Sequence, residues 1–362
     1  MNPLTQAVAE RITAETGEPF DAPRVTPVSG GCIHRGWCFS QGSRRYFVKT
    51  NDAASADMFA AEAEGLQAIA VTNTITVPHT IAHGATPDGA YLILNWCDMQ
   101  GRGDPRRLGA DLARLHAAPV GNRVGAPSGE SFGAPSGESF GAPSGESFGA
   151  PSGESFGAPS GESFGAPSGE SFGAPSGESF GAPSGGSFGS PSGESFGASR
   201  DNYIGTTPQA NREHTDWWVF YREQRLAPMF DALERRGVTF RGATSLLDQL
   251  AHRFGDHQPR VSLVHGDLWT GNAGFLRDGT PIIFDCAAYR GDGEVDLAMS
   301  ELFGGFGPAF FEGYREVLPI APGYPRRRTL YNLYHILNHA LLFGGGYACQ
   351  AQNMITELNS GC

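Results

Sequence analysis

Three oxygen-bearing side chains stand out by type and spacing: Asp267, Asn272 five residues on, and Asp285 thirteen residues after that. Asp267 lies in Val264-His265-Gly266-Asp267-Leu268-Trp269-Thr270-Gly271-Asn272, directly behind the apolar positions Val261, Leu263 and Val264. Asp285 closes a second apolar run, Ile282-Ile283-Phe284. Two strand-like runs thus deliver two loops that carry acids. Phosphoryl transfer from a nucleotide needs one carboxylate to accept the attacking hydroxyl's proton. It also needs an amide oxygen and a second carboxylate to hold Mg²⁺ against the phosphates. Asp267 suits the first task, Asn272 and Asp285 the second. A lone His-Gly-Asp means little, and an Asp after a strand is often only a turn former. The ordered occurrence of all three groups carries the reading.

The spacing is that of the protein-kinase catalytic loop, with Gly266 where an Arg is more usual. The basic residues add a clue: of 26, only Lys49 is a lysine. A chain that uses Arg everywhere else keeps one compact ammonium, at the end of a strand where kinases grip the α- and β-phosphates. The Ala-rich helix expected over 53–70 offers Glu62 and Glu64 to orient that ammonium by an ion pair. Glu62 is the choice, with surface solvation as the alternative for each. Ser29-Gly30-Gly31-Cys32 interrupts the expected strand 25–28. Glycines there let backbone amides approach phosphates, which makes Gly30 and Gly31 nucleotide-contact candidates, although an ordinary hairpin uses the same residues. Asn95 and Cys97 sit on the connector Asn95-Trp96-Cys97, placed at the adenine by their backbone groups.

The elements that must position these residues follow in chain order. Asn2-Pro3 reads as an N-cap and first helical residue, with Leu4, Val8 and Ile12 on one face. Strands are expected at 25–28, 37–40, 46–49, 77–81 and 91–96, forming a five-stranded small lobe. A helix follows over 107–118, where His116 reads as a C-terminal cap. Further helices are expected at 211–236, broken by Pro228, and at 244–254, 295–303, 310–317, 326–343 and 347–358.

Between these lobes, Ala126 to Gly197 is nine tandem copies of an octapeptide, mostly Ala-Pro-Ser-Gly-Glu-Ser-Phe-Gly. Pro, Ser and Gly fill most positions, so the block is expected to bury too little apolar surface to offset its ordering entropy. A flexible, dispensable insertion is the reading, and a repeat-based binding arm the alternative. The copies supply eight of the net twelve negative charges. The remaining balance gives no reason to expect nucleic acid or an anionic membrane as partner. The expected domains are a nucleotide-binding lobe (1–95), a hinge and first helix (96–125), the repeats (126–197) and a catalytic and substrate lobe (198–362). No run approaches roughly eighteen apolar residues, and no basic segment precedes an apolar block at the N-terminus. The six cysteines form no CxxC pair. A reduced, cytoplasmic protein is expected.

Taken together, Ser29 to Ile33, Lys49, Met58-Phe59 with Glu62, Leu108-Gly109 through Leu115-His116, Asn202-Tyr203-Ile204-Gly205, His265 to Asn272, Gly291-Asp292 with Asp296 to Met299, and Tyr331 to His339 resemble the fructosamine kinase (ketosamine-3-kinase) family. The resemblance covers everything but the repeats. Its most specific part is His-Gly-Asp-Leu-Trp-x-Gly-Asn, because the related aminoglycoside and choline kinases share His-Gly-Asp but seldom the Trp. It implies an α+β, bilobal, protein-kinase-like fold with a small five-stranded antiparallel N-terminal lobe and a mainly helical C-terminal lobe. It also implies phosphorylation of the 3-hydroxyl of ketosamines (ribulosamine, erythrulosamine or fructosamine adducts on amines) with ATP and Mg²⁺, in protein deglycation.

Carried over, Asp267 is the proton acceptor, Asn272 and Asp285 hold metal, Lys49 with Glu62 holds phosphates, and Trp269 walls the sugar or merely packs against its loop. Cys32 sits where a Cys recurs in the family. An exposed thiol there would oxidise, giving reversible inactivation or a redox-dependent dimer of an otherwise monomeric protein. Cys286, Gly293 and His34 depart from the family's usual Pro, Arg and Asn, and the repeats fall where the family has a short loop. The rival readings are a small-molecule kinase of aminoglycoside or choline type and a catalytically inactive nucleotide-binding scaffold.

Overall fold

The first helix, α1 (Pro3–Thr16), starts where Asn2 Oδ1 accepts the N–H of Thr5 at 2.7 Å and stops at Gly17, whose φ of 70° needs no Cβ. It buries Val8, Ala9 and Ile12. In this computed structural model, which describes residues 2–28, 35–99, 101–119 and 195–360, those side chains pack on one face of an antiparallel sheet. Its strands β1 (Arg24–Val28), β2 (Arg35–Gln41), β3 (Arg44–Asn51), β4 (Thr80–Thr86) and β5 (Gly89–Asn95) run in the order β1-β2-β3-β5-β4. Alternation along β3 decides what faces where: Tyr46 and Val48 join the α1 core, so Phe47 and Lys49 point to the opposite face. That face is covered by α2 (Ala56–Ala70), which packs Phe59, Ala63 and Leu66 with Leu92 and Leu94 of β5.

The strand expected at 77–81 lies instead at Thr80–Thr86. Pro78 has no N–H for a ladder, and Thr76 is taken by a parallel bridge to Ile282 of the large lobe, its carbonyl accepting from Ile283 at 3.0 Å.

The large lobe contains α3 (Pro105–Ala117), the hairpin β6 (Asn202–Ile204) and β7 (Thr207–Gln209), α4 (Trp217–Tyr221), α5 (Ala227–Glu234), α6 (Ala243–Asp248) and α7 (Leu250–Phe254). The short strands β8 (Ser262–Val264), β9 (Ala273–Phe275), β10 (Pro281–Ile283) and β11 (Tyr289–Gly291) follow, then α8 (Glu294–Leu302), α9 (Pro308–Val317), α10 (Tyr324–Phe343) and α11 (Tyr347–Ser360). The helix expected from 211 begins only at Trp217, because Asp216 caps it by accepting the N–H groups of Trp218 and Val219. It continues into α5 through a π-helical turn, Arg222–Leu226, just ahead of Pro228. In that turn Arg225 is fully buried and reaches the Ala210 carbonyl at 2.5 Å and Asn211 Oδ1 at 2.7 Å. None of the described helices is long and apolar enough to cross a membrane.

The repeat boundary moves. Ser195, Phe196 and Gly197 close the ninth copy, yet they belong to the large lobe: Phe196 is 2% exposed against Trp217 and pairs its backbone with His214. A ring that finds an aromatic core is not a linker residue. The remaining repeats through Glu194 lie outside the described residues, as do Gly30, Gly31, Cys32 and His34.

Helices α3 and α9 meet through two glycines. A Cβ on Gly109 would sit 1.9 Å from the Phe310 carbonyl oxygen, and one on Gly313 would sit 1.9 Å from that of Arg106. Gly313→Ala is therefore expected to destabilise by roughly 1–3 kcal/mol, read as a melting temperature lower by several degrees. Gly346→Ala, with nothing within 4 Å of the added carbon, is the control, expected to cost only the few tenths of a kcal/mol or so that separate Ala from Gly at the start of α11.

Candidate active site

Asp267 is presented by the loop after β8, and two features of that loop fix it. Gly266 has φ +82°, and a Cβ there would lie 2.3 Å from the Ala287 carbonyl oxygen, so no side chain fits. Asp296, at the start of α8 and fully buried, accepts the N–H groups of His265 at 2.7 Å and Gly266 at 2.8 Å. It also meets His116 Nε2 at 3.0 Å, while His116 Nδ1 pairs with the Tyr314 hydroxyl at 2.9 Å. Burial would raise the Asp296 carboxyl, but the hydrogen bond and charge of His116, with His265, hold it below its ordinary value. His116 is therefore no helix cap: it lies fully buried beneath the loop. Only its position in a family-like segment singled it out in the sequence, because helix-end position alone suggests a solvated cap.

His265 joins the two acid-bearing loops. Its Nε2 donates to the Phe284 carbonyl at 2.9 Å, leaving Nδ1 to accept the N–H of Asp267 at 3.2 Å. Burial depresses its pKa, which suits that neutral tautomer. One residue past Phe284 comes Asp285, with φ 59°, a left-handed conformation uncommon outside glycine and asparagine. Asn272, in a short turn after Trp269, donates its amide to the Asp267 carbonyl at 3.0 Å and to Asp267 Oδ2 at 3.1 Å.

Across the cleft stands Lys49, 4% exposed. Its ammonium is 2.6 Å from Glu62 Oε1 and 2.5 Å from Asp285 Oδ1. Glu64 points elsewhere, to Arg200 at 2.8 Å. Burial works against the Lys49 charge, yet the two carboxylates outweigh it and hold its pKa well above the ordinary lysine range. Glu62 is itself raised by burial, only partly offset by Lys49. Asp267 is pushed up to about 7, first by burial and then by the charge of Asp285, against the Asn272 hydrogen bond. Two carboxylates thus meet one ammonium, and Asp267 brings a third to the same cavity. The unbalanced negative charge, with an amide oxygen among the donors, is what a hard divalent cation requires.

Lys49 and Glu62 from the small lobe, Asn95 and Cys97 from the connector, and Asp267, Trp269, Asn272 and Asp285 from the large lobe border one cavity of about 510 Å³. At the connector, Asn95 Oδ1 accepts the N–H of His79 at 2.6 Å and the Cys97 carbonyl accepts that of Met99 at 3.0 Å. Trp269 folds over Gly271, where a Cβ would be 2.4 Å from its ring, and its ring centroid lies 6.2 Å from that of Phe303. Tyr203 and Ile204 of the hairpin also reach the cavity.

Fold and site define a two-lobed phosphotransferase of the protein-kinase-like class. A family model for fructosamine kinase matches residues 4–136 and 188–360, passing over a stretch inside the repeats. The chain is 39% identical over 355 residues to a probable ketoamine kinase of Synechocystis, covering 97% of this chain and 96% of that one. It is 31% identical over 355 residues to a chloroplastic protein-ribulosamine 3-kinase of Arabidopsis thaliana, covering 97% of this chain and 86% of the other. The crystal structure of a candidate fructosamine-3-kinase from Haemophilus somnus shares the fold with a TM-score of 0.72 at 20% identity, over 97% and 96% of the two chains. The chain belongs to the fructosamine kinase family.

Asp267→Asn is expected to slow phosphoryl transfer by about 10²–10⁴-fold. In protein free of nucleotide and divalent cation, the same change should raise the melting temperature at pH 8. Because the fold disfavours the ionised carboxylate, wild type loses stability as pH rises from about 3.8 through about 7, and the variant does not. The gap should close toward pH 4. Thermal melts across that range check it, and a variant that melts below wild type at pH 8 contradicts the electrostatic account.

Proposed function

We propose that the chain is an ATP-dependent kinase that phosphorylates the 3-hydroxyl of ketosamines, and that it acts on such adducts of protein amines in the cytoplasm as a repair enzyme. The observation that carries this reading is the single cavity into which both lobes send their chemistry: Lys49 and Glu62 from one side, Asp267, Asn272 and Asp285 from the other. Membership of the fructosamine kinase family and the names of its ketoamine- and ribulosamine-directed members supply the substrate class.

In this reading the adenine lies along the connector at Asn95 and Cys97, and Lys49, steered by Glu62, takes the phosphates. Asn272 and Asp285 are the residues that would hold Mg²⁺, a group that neutralises phosphate charge as the bond to the leaving oxygen breaks. Asp267 accepts the proton of the attacking hydroxyl. A pKa near neutrality matches it to that task. The Asn272 amide occupies Asp267 Oδ2 and so directs the other carboxylate oxygen to the substrate. Trp269 supplies an apolar wall for the sugar face, braced by Phe303. Gly293 brings the N-terminus of α8 close beneath this site: a Cβ there would be 2.6 Å from His116 Nδ1. The glycine in place of the family's usual Arg is therefore matched to the buried histidine.

The test is phosphate transfer from ATP to synthetic ribulosamine, erythrulosamine and fructosamine, beside kanamycin and choline. Phosphate on O3 of one or more of the ketosamines is expected. Transfer to kanamycin or choline alone would overturn the proposal.

A further inference from the structure

Glu62 steers Lys49 only while α2 keeps its roll about its own axis, and three stripes of that helix show what sets the roll. Met58, Ala61 and Glu62 share the stripe that borders the cavity. Phe59, Ala63 and Leu66, about a third of a turn to one side, pack with Leu92 and Leu94 of the sheet. Asp57 and Glu64 share a third stripe, about as far to the other side. The sheet therefore braces one flank of the cleft-facing stripe, and a grip on Asp57 and Glu64 braces the other.

That grip comes from the segment that opens the β6–β7 hairpin. Arg200, half-buried, ion-pairs with Glu64 Oε1 at 2.8 Å and with Asp57, and the Tyr203 hydroxyl donates to Asp57 Oδ2 at 3.0 Å. Glu64 Oε2 is buried without a partner, so Arg200 supplies the hydrogen bond that this carboxylate accepts. The gripping segment is itself fixed to the large lobe. Asn202 Nδ2 donates to the Ala288 carbonyl at 2.9 Å, Gln209 Nε2 to that of Ala287 at 3.3 Å, and Asn211 Nδ2 to that of Arg200 at 3.2 Å. Ala287 and Ala288 follow closely on Asp285, and Ala287 donates its N–H to the His265 carbonyl at 2.9 Å, which ties them to the catalytic loop. Helix α2 meets the same stretch at Gly65, where a Cβ would be 2.9 Å from Cys286 Sγ.

The geometry points to Arg200 as a positioning residue for the phosphate grip. Through Asp57 and Glu64 it fixes the roll of α2, so that Glu62 stays aimed at Lys49 and Asp285, the ammonium's other partner at 2.5 Å, is free to turn toward a cation. The inference rests on the roles proposed for Lys49, Glu62 and Asp285 and adds what holds Glu62 in place from outside the cavity wall. A guanidinium this accessible adds little to global stability. Its effect is on aim, because the 2.6 Å separation of Lys49 and Glu62 tolerates little rotation of the helix that carries the carboxylate.

The test titrates ATP with Mg²⁺ calorimetrically into the full-length protein and its variants, with melting temperatures measured alongside. Arg200→Gln is expected to bind about tenfold more weakly than wild type while melting within about two degrees of it. Arg200→Lys, which keeps the charge but not the two-armed reach, should fall between the two. Asp57→Asn together with Glu64→Gln should reproduce the loss. In a Glu62→Gln background, where no aimed carboxylate is left to misplace, Arg200→Gln should cost less than about twofold. Binding by Arg200→Gln within about twofold of wild type overturns the proposal. So does a loss of undiminished size in the Glu62→Gln background, which would assign Arg200 to the fold rather than to Glu62. A wild type that binds no ATP with Mg²⁺ overturns the kinase reading and this inference together. Failure of the variants alone touches only the inference, because no acceptor enters the experiment.

Discussion

One ammonium is shared by acids from both lobes, and the working end of the molecule is arranged around that inequality. Lys49 lies between Glu62 of the small lobe and Asp285 of the large one, and Asp267 adds a third carboxylate within the same cavity. Buried charges are tolerated only when paired. Burial, only partly offset for Glu62 by Lys49 and reinforced for Asp267 by the charge of Asp285, raises both above the ordinary carboxylate range. A polyphosphate alone would make the imbalance worse. A polyphosphate together with a divalent cation would relieve it, and the amide oxygen of Asn272 beside Asp267 is a donor suited to such an ion.

The rest of the large lobe keeps these groups at their separation. Asp296 ties down the backbone on the N-terminal side of Asp267, and His265 links that loop to the carbonyl just before Asp285. His116 and Tyr314 anchor Asp296 from α3 and α9, and those two helices approach closely enough to do so because glycines stand at their crossing. A chain of hydrogen bonds therefore runs from a helix–helix contact to the catalytic loop. Each member is buried and satisfied, so displacing any of them leaves a polar group without a partner.

Much of this was legible in the residues themselves. The alternation of β3 sets Lys49 on the cleft face, and the helix that follows brings Glu62 into its reach while Glu64, two residues on, faces Arg200. The five small-lobe strands and most large-lobe helices follow their apolar periods. What escaped the sequence did so for physical reasons. The strand at Thr80–Thr86 is poor in apolar alternation, and the start expected at 77 runs through Pro78, which has no N–H for a ladder. The π-turn at Arg222–Leu226 is a register shift with no periodic signature, and Asp216 ends the extended segment before it by an ordinary cap. His116 and Asp296 meet 180 residues apart, a contact that no local pattern announces. Phe196 was hidden by repetition: its octapeptide resembles its neighbours, and only the partners waiting at Trp217, His214 and Arg290 distinguish it.

The charge imbalance at Lys49 can be probed without turnover, by calorimetric titration of ATP with and without Mg²⁺ into the protein and into Asp285→Asn. The account predicts that Mg²⁺ tightens ATP binding by at least about tenfold in the wild type, roughly 1.4 kcal/mol, and has little effect in the variant. Binding that ignores Mg²⁺ in the wild type, or that keeps its full Mg²⁺ dependence without the Asp285 carboxylate, would contradict it.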